Sequence, residues 1–347
     1  MEPSREPDEP IHTRCLAVVF SQGKGDSVGF RADILDLRKG GLMALAGRIT
    51  MAGIIHKMEL HGSFDARTGE LERLSWDQSH VMHEPNVASR GECCRDPMHR
   101  LHELLGARLG DGFVSDLKQS FGGPLGCTHV NTLFQELSAF VSRFKARREQ
   151  AGAKAECHAV GERLASRSLF FDAFFCEERV DTTALSVRLA DLFYAPLDEH
   201  GGEVLAEHHE VRLRAEVELA GWRIRKLAGR ARSRRGPSCE ATPWQDRSAD
   251  LRDFADQSLG GGMAKRCLER FGDRPEDARL LSALLGLGPG MTQVGAAVSD
   301  TLAPATRARP AGAGLPGPGP CYLLRAGGPL MASMFSAPDE STPDESD

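Results

Sequence analysis

Apolar runs and apolar–polar alternation mark the chain from about residue 13 to residue 80. "CLAVVF", beginning at Cys15, and "VGFRADILDL", beginning at Val28, read as strands. "IIHKMELHGSFD" and "LERLSW" alternate apolar and polar residues on either side of "DARTGE". A period of two puts one side of a strand in a core and the other in water, so this pair predicts a hairpin.

Past Cys93 and Cys94 the period lengthens. "DPMHRLHELLGARLG" places Met98, Leu101, Leu104 and Leu105 on one helical face, with Asp96 as N-cap and Pro97 at the first helical position. "DGFVSDLKQSFGG" does the same with Phe113, Val114, Leu117 and Phe121. A third helix carries Val130, Leu133, Phe134, Leu137, Phe140, Val141 and Phe144. It ends in the basic run "KARREQ", where cations suit the carbonyl end of a helix. Strands first and helices second is the order of an α+β unit.

The second half then echoes the first. "LGDGFVSDLKQSFGG" aligns with "LGGGMAKRCLERFGD", and "IHKMELHGSF" with "HHEVRLRAEV", which pairs His56 with His209. "FRADILDL" resembles "VRLADLFY", and Cys94 pairs with Cys239. The expectation is an α+β protein of two similar domains from an internal duplication, each a small antiparallel sheet followed by about three helices. The boundaries read from the pattern are a disordered leader at 1–12, an N-terminal domain at 13–150, a diverged second copy at 165–302, and a mostly disordered Pro/Gly/acidic tail at 303–347.

Composition narrows the classes. A net charge of −6 argues against a general nucleic-acid binder. The basic stretch "RIRKLAGRARSRRGP" is the exception, and without interleaved aromatics it reads as a solvated loop. The N-terminus lacks the basic start and apolar run of a signal peptide, and the longest apolar stretch carries Arg48 and is too short for a bilayer. A cytoplasmic protein with no membrane association is expected. Nine irregularly spaced cysteines then read as thiols and metal ligands, not as a disulfide framework.

The densest candidate chemistry lies in "FGGPLGCTHVNTLFQELSAF". Thr128 suits a helix N-cap, which puts Cys127 just before the helix and His129 in its first turn. Free amides and the helix dipole favour a thiolate there. A thiolate and an imidazole one residue apart also suit one zinc or iron ion, though two ligands do not complete a site. Further ligands could come from His56 or His61 on a strand, or from Cys93 or Cys94. His56 shares its strand face with Met58 and Leu60, which points it inward. His99 and His102 are spaced i, i+3 on a helix and fit a solvated face better. Each Cys and His here could equally be a packed core residue.

"IIHKMEL", a Cys some forty residues on, "LHELLGARLGDGF" and "GGPLGCTHVNTL" together resemble an uncharacterised bacterial family, domain of unknown function 2889. Its pattern runs I-H-D-M, a Cys, L-x-G-x-x-x-G-W/F and G-G-x-x-G-C-T-H-L, and the resemblance covers about residues 25 to 145. It implies a shared site at His56, Cys94, Cys127 and His129. Where the family has Asp after the first His, this chain has Lys57; if that Asp orients the His, the site here is impaired. The second copy carries Met291 and Gln293 where the first has Cys127 and His129, so the chemistry is expected in the N-terminal half.

Three functions remain open: a zinc- or iron-binding enzyme acting on a small molecule, a cysteine-thiolate enzyme with Cys127 as nucleophile, and a non-catalytic binding or scaffold protein. No P-loop, no G-x-G-x-x-G after a strand and no G-x-S-x-G is present, so no nucleotide cofactor is expected. Pseudo-dimeric packing of the halves, or a homo-oligomer, would accommodate the expected duplication.

Overall fold

The computed structural model describes residues 10–40, 43–45, 48–151, 157–175, 181–236, 242–297, 319 and 321–335. Residues 1–9 of the predicted leader, much of the predicted tail, Cys176 and Cys239 lie outside these residues; residues 10–12, expected in the disordered leader, instead open the first strand.

The first half begins with β1 (Pro10–Gln22) and β2 (Ser27–Arg38). A short hairpin follows, β3 (Met43–Leu45) with β4 (Arg48–Thr50). β5 (Gly53–Asp65) and β6 (Leu71–His80) form the predicted hairpin. The predicted helices follow as a 3₁₀ segment (Asp96–Leu104), α1 (Phe113–Phe121) and α2 (Thr128–Ala151). Asp96 opens the 3₁₀ segment and takes the Cys93 amide on its carboxylate at 2.9 Å. The second half adds β7 (Arg163–Phe175), β8 (Thr182–Ala195), β9 (Val204–Glu218), β10 (Arg223–Arg235) and β11 (Gln245–Asp246). Then come α3 (Met263–Phe271), α4 (Ala278–Leu285), α5 (Leu287–Ala297) and, near the end, α6 (Pro329–Phe335).

The expectation of two similar domains, each with its own sheet, is overturned. All the long strands form one antiparallel nine-stranded sheet, in the order β11-β10-β9-β8-β7-β1-β2-β5-β6. β1 pairs along its length with β7, Ser21 against Arg163 at one end and Pro10 against Phe174 at the other. Two separate sheets would each leave such a strand as an unpaired edge; pairing them removes both edges. The core is continuous as well. Phe20, Phe64 and Phe140 from the first half share one apolar cluster with Phe171, Phe193 and Phe271 from the second. Alternation could show that strands exist, but not which strands are neighbours. The structure therefore shows one shared sheet and one core, and no duplication into two sheet-plus-helix domains.

Two local readings change with it. The basic stretch expected as a loop is strand β10, paired with β9 from Arg223↔Glu218 to Arg235↔Glu207. Its alternation was hidden because arginine occupies both faces. Leu105 and Val114, both expected on buried helical faces, are 43% and 38% exposed, while Met98, Leu101, Leu104, Phe113, Leu117 and Phe121 are buried.

Helices cover one face of the sheet: α2 packs on β1 and β2, α5 on β1 and β7, and α4 on β8 and β9. Core-facing residues alternate along β1 (His12, Arg14, Leu16, Val18, Phe20) and β2 (Val28, Phe30, Ala32, Ile34, Asp36, Arg38). The apolar end of each row builds the core. The other end carries charge into the same protected layer, and the candidate site forms there. No helix among the described residues is long and apolar enough to cross a membrane.

Candidate metal centre

Three neighbouring strands deliver one row of polar side chains. Arg14 on β1 stands opposite Asp36 on β2, and Asp36 opposite His56 on β5. Beyond that pair the register slips: Asp36 faces His56 but Leu37 faces Ile54, so Ile55 is an extra residue. Ile55 and His56 are consequently both buried, at 4% and 3% exposure. A bulge of this kind re-aims a side chain where a strict alternation could not. Here it buries Ile55 beside His56, which keeps its regular pairing with Asp36 and faces the mouth of α2.

α2 supplies the fourth member from above. Cys127 precedes its first residue, and the Cys127 carbonyl accepts the Asn131 amide at 2.9 Å. His129 lies in the first turn and reaches down to the sheet, where Nε2 donates to Asp36 Oδ2 at 2.7 Å. Its ring lies 3.8 Å from that of His56, centroid to centroid, tilted by 33°. One ligand atom each of Asp36, His56 and His129 lies within 4.8 Å of the others.

Asp36 has no exposed surface and is held by charge-assisted hydrogen bonds. Arg14 forks onto it, Nε to Oδ1 and Nη2 to Oδ2, both at 2.7 Å. Burial alone would push its carboxyl up; Arg14 and His129 more than reverse that and hold it well below the usual carboxylate range. His12 stands 3.6 Å from Oδ1, and burial lowers its pKa to about 4, against the pull of Asp36. Burial also drives His56 well below its usual value, with the neighbouring His129 acting in the same direction. His56 is thus a neutral imidazole. Its Nε2 receives only a 3.4 Å contact from the Met82 amide, and its Nδ1 has no hydrogen-bond partner among the described residues.

The thiols stand differently. Cys127 Sγ lies 4.0 Å from His129 Nδ1. Burial pushes its pKa up to about 12, although the Val130 and His129 amides pull it down. The helix mouth does favour a thiolate, as expected, but burial outweighs it. Cys94 is half-buried and packs with Cys321, Leu323, Leu324 and Met82 around Leu330 of α6; burial raises its pKa too. Of the four expected site residues, His56 and His129 come together, Cys127 adjoins His129, and Cys94 sits against the C-terminal segment. His61 points to the other face of β5 beside Glu59, at 3.3 Å, and His99 and His102 are exposed.

Asp36, Arg14 and His12 were missed from the sequence. The signal was present: each falls in phase with the apolar residues of its own strand, where a charged or polar side chain has no place unless it is paired. Lys57 is exposed on the opposite face from His56, with Nζ 3.9 Å from Glu59. Its position does not reach the cluster, and the carboxylate that holds a site histidine comes from β2.

The geometry defines a buried two-imidazole, one-carboxylate cluster set in a sheet beneath a helix N-terminus. Residues 12–142, which contain all of it, match the model of the family described as "Protein of unknown function (DUF2889)". The N-terminal half therefore carries the family pattern that its I-H-K-M and G-C-T-H motifs resemble. No curated protein and no solved structure matches the chain.

Proposed function

We propose that the Asp36–His56–His129 cluster binds a transition-metal ion and that the protein is a metal-dependent enzyme acting on a small molecule. The carrying observation is the buried grouping of three ligand atoms within 4.8 Å, one of its imidazoles keeping a ring nitrogen without a partner. An unsatisfied buried polar group costs about 1–3 kcal/mol, which a bound cation would offset. Two imidazoles and a carboxylate are the donor set of zinc and non-haem iron(II) sites. Three protein ligands would leave coordination positions for water and substrate. Arg14 would keep the carboxylate in place while the proton between His129 and Asp36 gives way to the cation.

The thiolate-nucleophile reading has less support, because the Cys127 thiol is buried and protonated at neutral pH. The test is elemental mass spectrometry on anaerobically purified protein. About one zinc or iron per chain is expected, lost in the His56→Ala/His129→Ala double variant and retained in Cys127→Ser. Metal-free folded protein would overturn the proposal. Metal kept by the histidine variant but lost in Cys127→Ser would move the ligands to the thiols.

A further inference from the structure

The face of the sheet turned away from the helices carries a different chemistry in its second half. Arg188 on β8 stands opposite Arg212 on β9, and Arg212 opposite Arg230 on β10. Three guanidinium groups thus share one cross-strand row. Like charges directly opposite one another destabilise a sheet. Arg214 lies on the same face of β9, two residues along.

The free protein balances this charge in part. Glu210, on the same face and fully buried, takes Arg188 at 2.8 Å, Arg212 at 2.8 Å and Arg232 at 2.6 Å. Burial would raise its carboxyl, but hydrogen bonds from Arg232 and Arg212 and the charge of Arg188 hold it low. Trp244 lies against Arg212, Arg230 and Arg232, with guanidinium carbons 4.4–4.8 Å from its ring centre. Arg214 and Arg230 have no carboxylate partner among the described residues. Two further acids line the cavity beside the arginines: Asp172, which takes the Thr13 hydroxyl at 2.7 Å, and Asp246, which stands opposite Arg230 and takes the Ser248 hydroxyl at 2.6 Å; both are carboxylates, and the four lining arginines outnumber them.

Above the row lies an open cavity of about 640 Å³, lined by Arg188, Arg212, Arg214, Arg230, Trp244 and Phe170 among others. Phe170 is 39% exposed there. The volume falls in the range of small-molecule sites. A rigid fork of guanidinium donors matches phosphate oxygens, and exposed aromatic rings offer flat apolar contact.

We infer that this arginine row is a binding site for a phosphate-bearing small molecule of nucleotide size, held on phosphate by Arg214 and Arg230 beside Trp244 and Phe170. It lies on the opposite face of the sheet from the metal cluster and does not rest on the metal reading.

The test is calorimetric titration of the full chain at fixed ionic strength with inorganic pyrophosphate, ATP and a twenty-residue oligothymidylate. Pyrophosphate and ATP should bind one per chain, with ATP the tighter because it adds ring contact. Arg214→Gln with Arg230→Gln should weaken both by at least about tenfold. Arg230→Lys, which keeps the charge and loses the fork, should fall between. Both side chains are exposed, so circular dichroism should be unchanged. No binding of either probe, or binding equal in the double Gln variant, would overturn the assignment. So would oligothymidylate binding that ATP does not displace, which would make the face a single-strand nucleic-acid surface instead.

Discussion

Two rows cross the buried face of the sheet with the same three residue types in the same order. Arg14, Asp36 and His56 stand opposite one another in the first half; Arg167, Asp191 and His209 do so in the second. In each, the arginine forks onto the aspartate. What lies over the row separates them. α4 brings Arg279 to Asp191 at 2.7 Å and α2 brings Glu136 to Arg167 at 3.0 Å, so two cations meet two anions. His209 uses both ring nitrogens, on Ser233 at 2.8 Å and Glu207 at 3.0 Å, and the register slip of its strand pair comes only beyond Phe193↔Glu207. The first row instead has a bulge beside His56, a second imidazole in place of an arginine, and a ring nitrogen left over. The second row is a closed ion network that fixes the sheet beneath its helices. The first has the same foundation and keeps ligand capacity. Residue type and register alone do not make a site; the covering helix decides.

The largest effect that could break this comparison comes from Arg167→Met. It would strand Asp191 and Glu136 in the core with Arg279 as their remaining cation. Losing one partner of a buried network costs about 3–5 kcal/mol. His129→Ala, which removes one hydrogen bond from an Asp36 still forked by Arg14, should cost about 1.5–3 kcal/mol. Urea denaturation of both variants orders them, and metal per folded chain should fall only in His129→Ala. If Arg167→Met proves the milder change, the second row is not the lock described.

Acid should separate the rows next. His12 is neutral in the fold down to about pH 4, whereas an unfolded histidine takes its proton near 6.5. The unfolded state then binds more protons, so stability is whole above about 6.5 and declines as pH falls toward about 4, by roughly 3 kcal/mol. His56 adds in the same direction. The second row behaves otherwise. Asp191 is held at about 2, so its contribution is complete above the ordinary carboxylate value of 3.8 and is lost only as pH falls through about 2. Burial raises Glu136, so its protonation on the way down favours the folded state. Urea midpoints of metal-free protein should therefore drop between pH 6.5 and 4.5, and His12→Asn should flatten that slope. An equal slope in the variant would remove His12 from the account.

Much of the local structure was legible. Alternation in "VGFRADILDL" and around "DARTGE" gave strands, and the spacing of Phe113, Leu117 and Phe121 gave α1. His56 was legible as inward-facing because it falls in step with Met58 and Leu60. Strand partners were not legible, since β1 meets β7 across some 140 intervening residues and hydrogen bonds between backbones leave no mark on side-chain order. The carboxylate of the site was overlooked for a related reason. A motif search favours Cys and His, whereas Asp36 declares itself only when its parity with Ile34 and Ala32 is taken as a demand for a buried partner.

Lys57 sharpens that lesson with the smallest expected effect. By motif, Lys57 is the departure from I-H-D-M that should impair the site. By geometry it is exposed, one residue along from His56 and therefore on the other face of β5, near Glu59. Lys57→Asp should change stability by no more than about 0.5 kcal/mol, as exposed substitutions away from special features do. It would add an acid beside Glu59, which already stands opposite Asp33 and Asp77, a surface repulsion that salt screens. Metal affinity in a competitive chelator titration should be unchanged, while Asp36→Asn in the same assay should weaken it, because that change removes the anionic charge without altering shape. A clear gain in affinity from Lys57→Asp would mean that the strand face turned to solvent communicates with the cluster, and that a site histidine is held from both sides of the sheet and not from β2 alone.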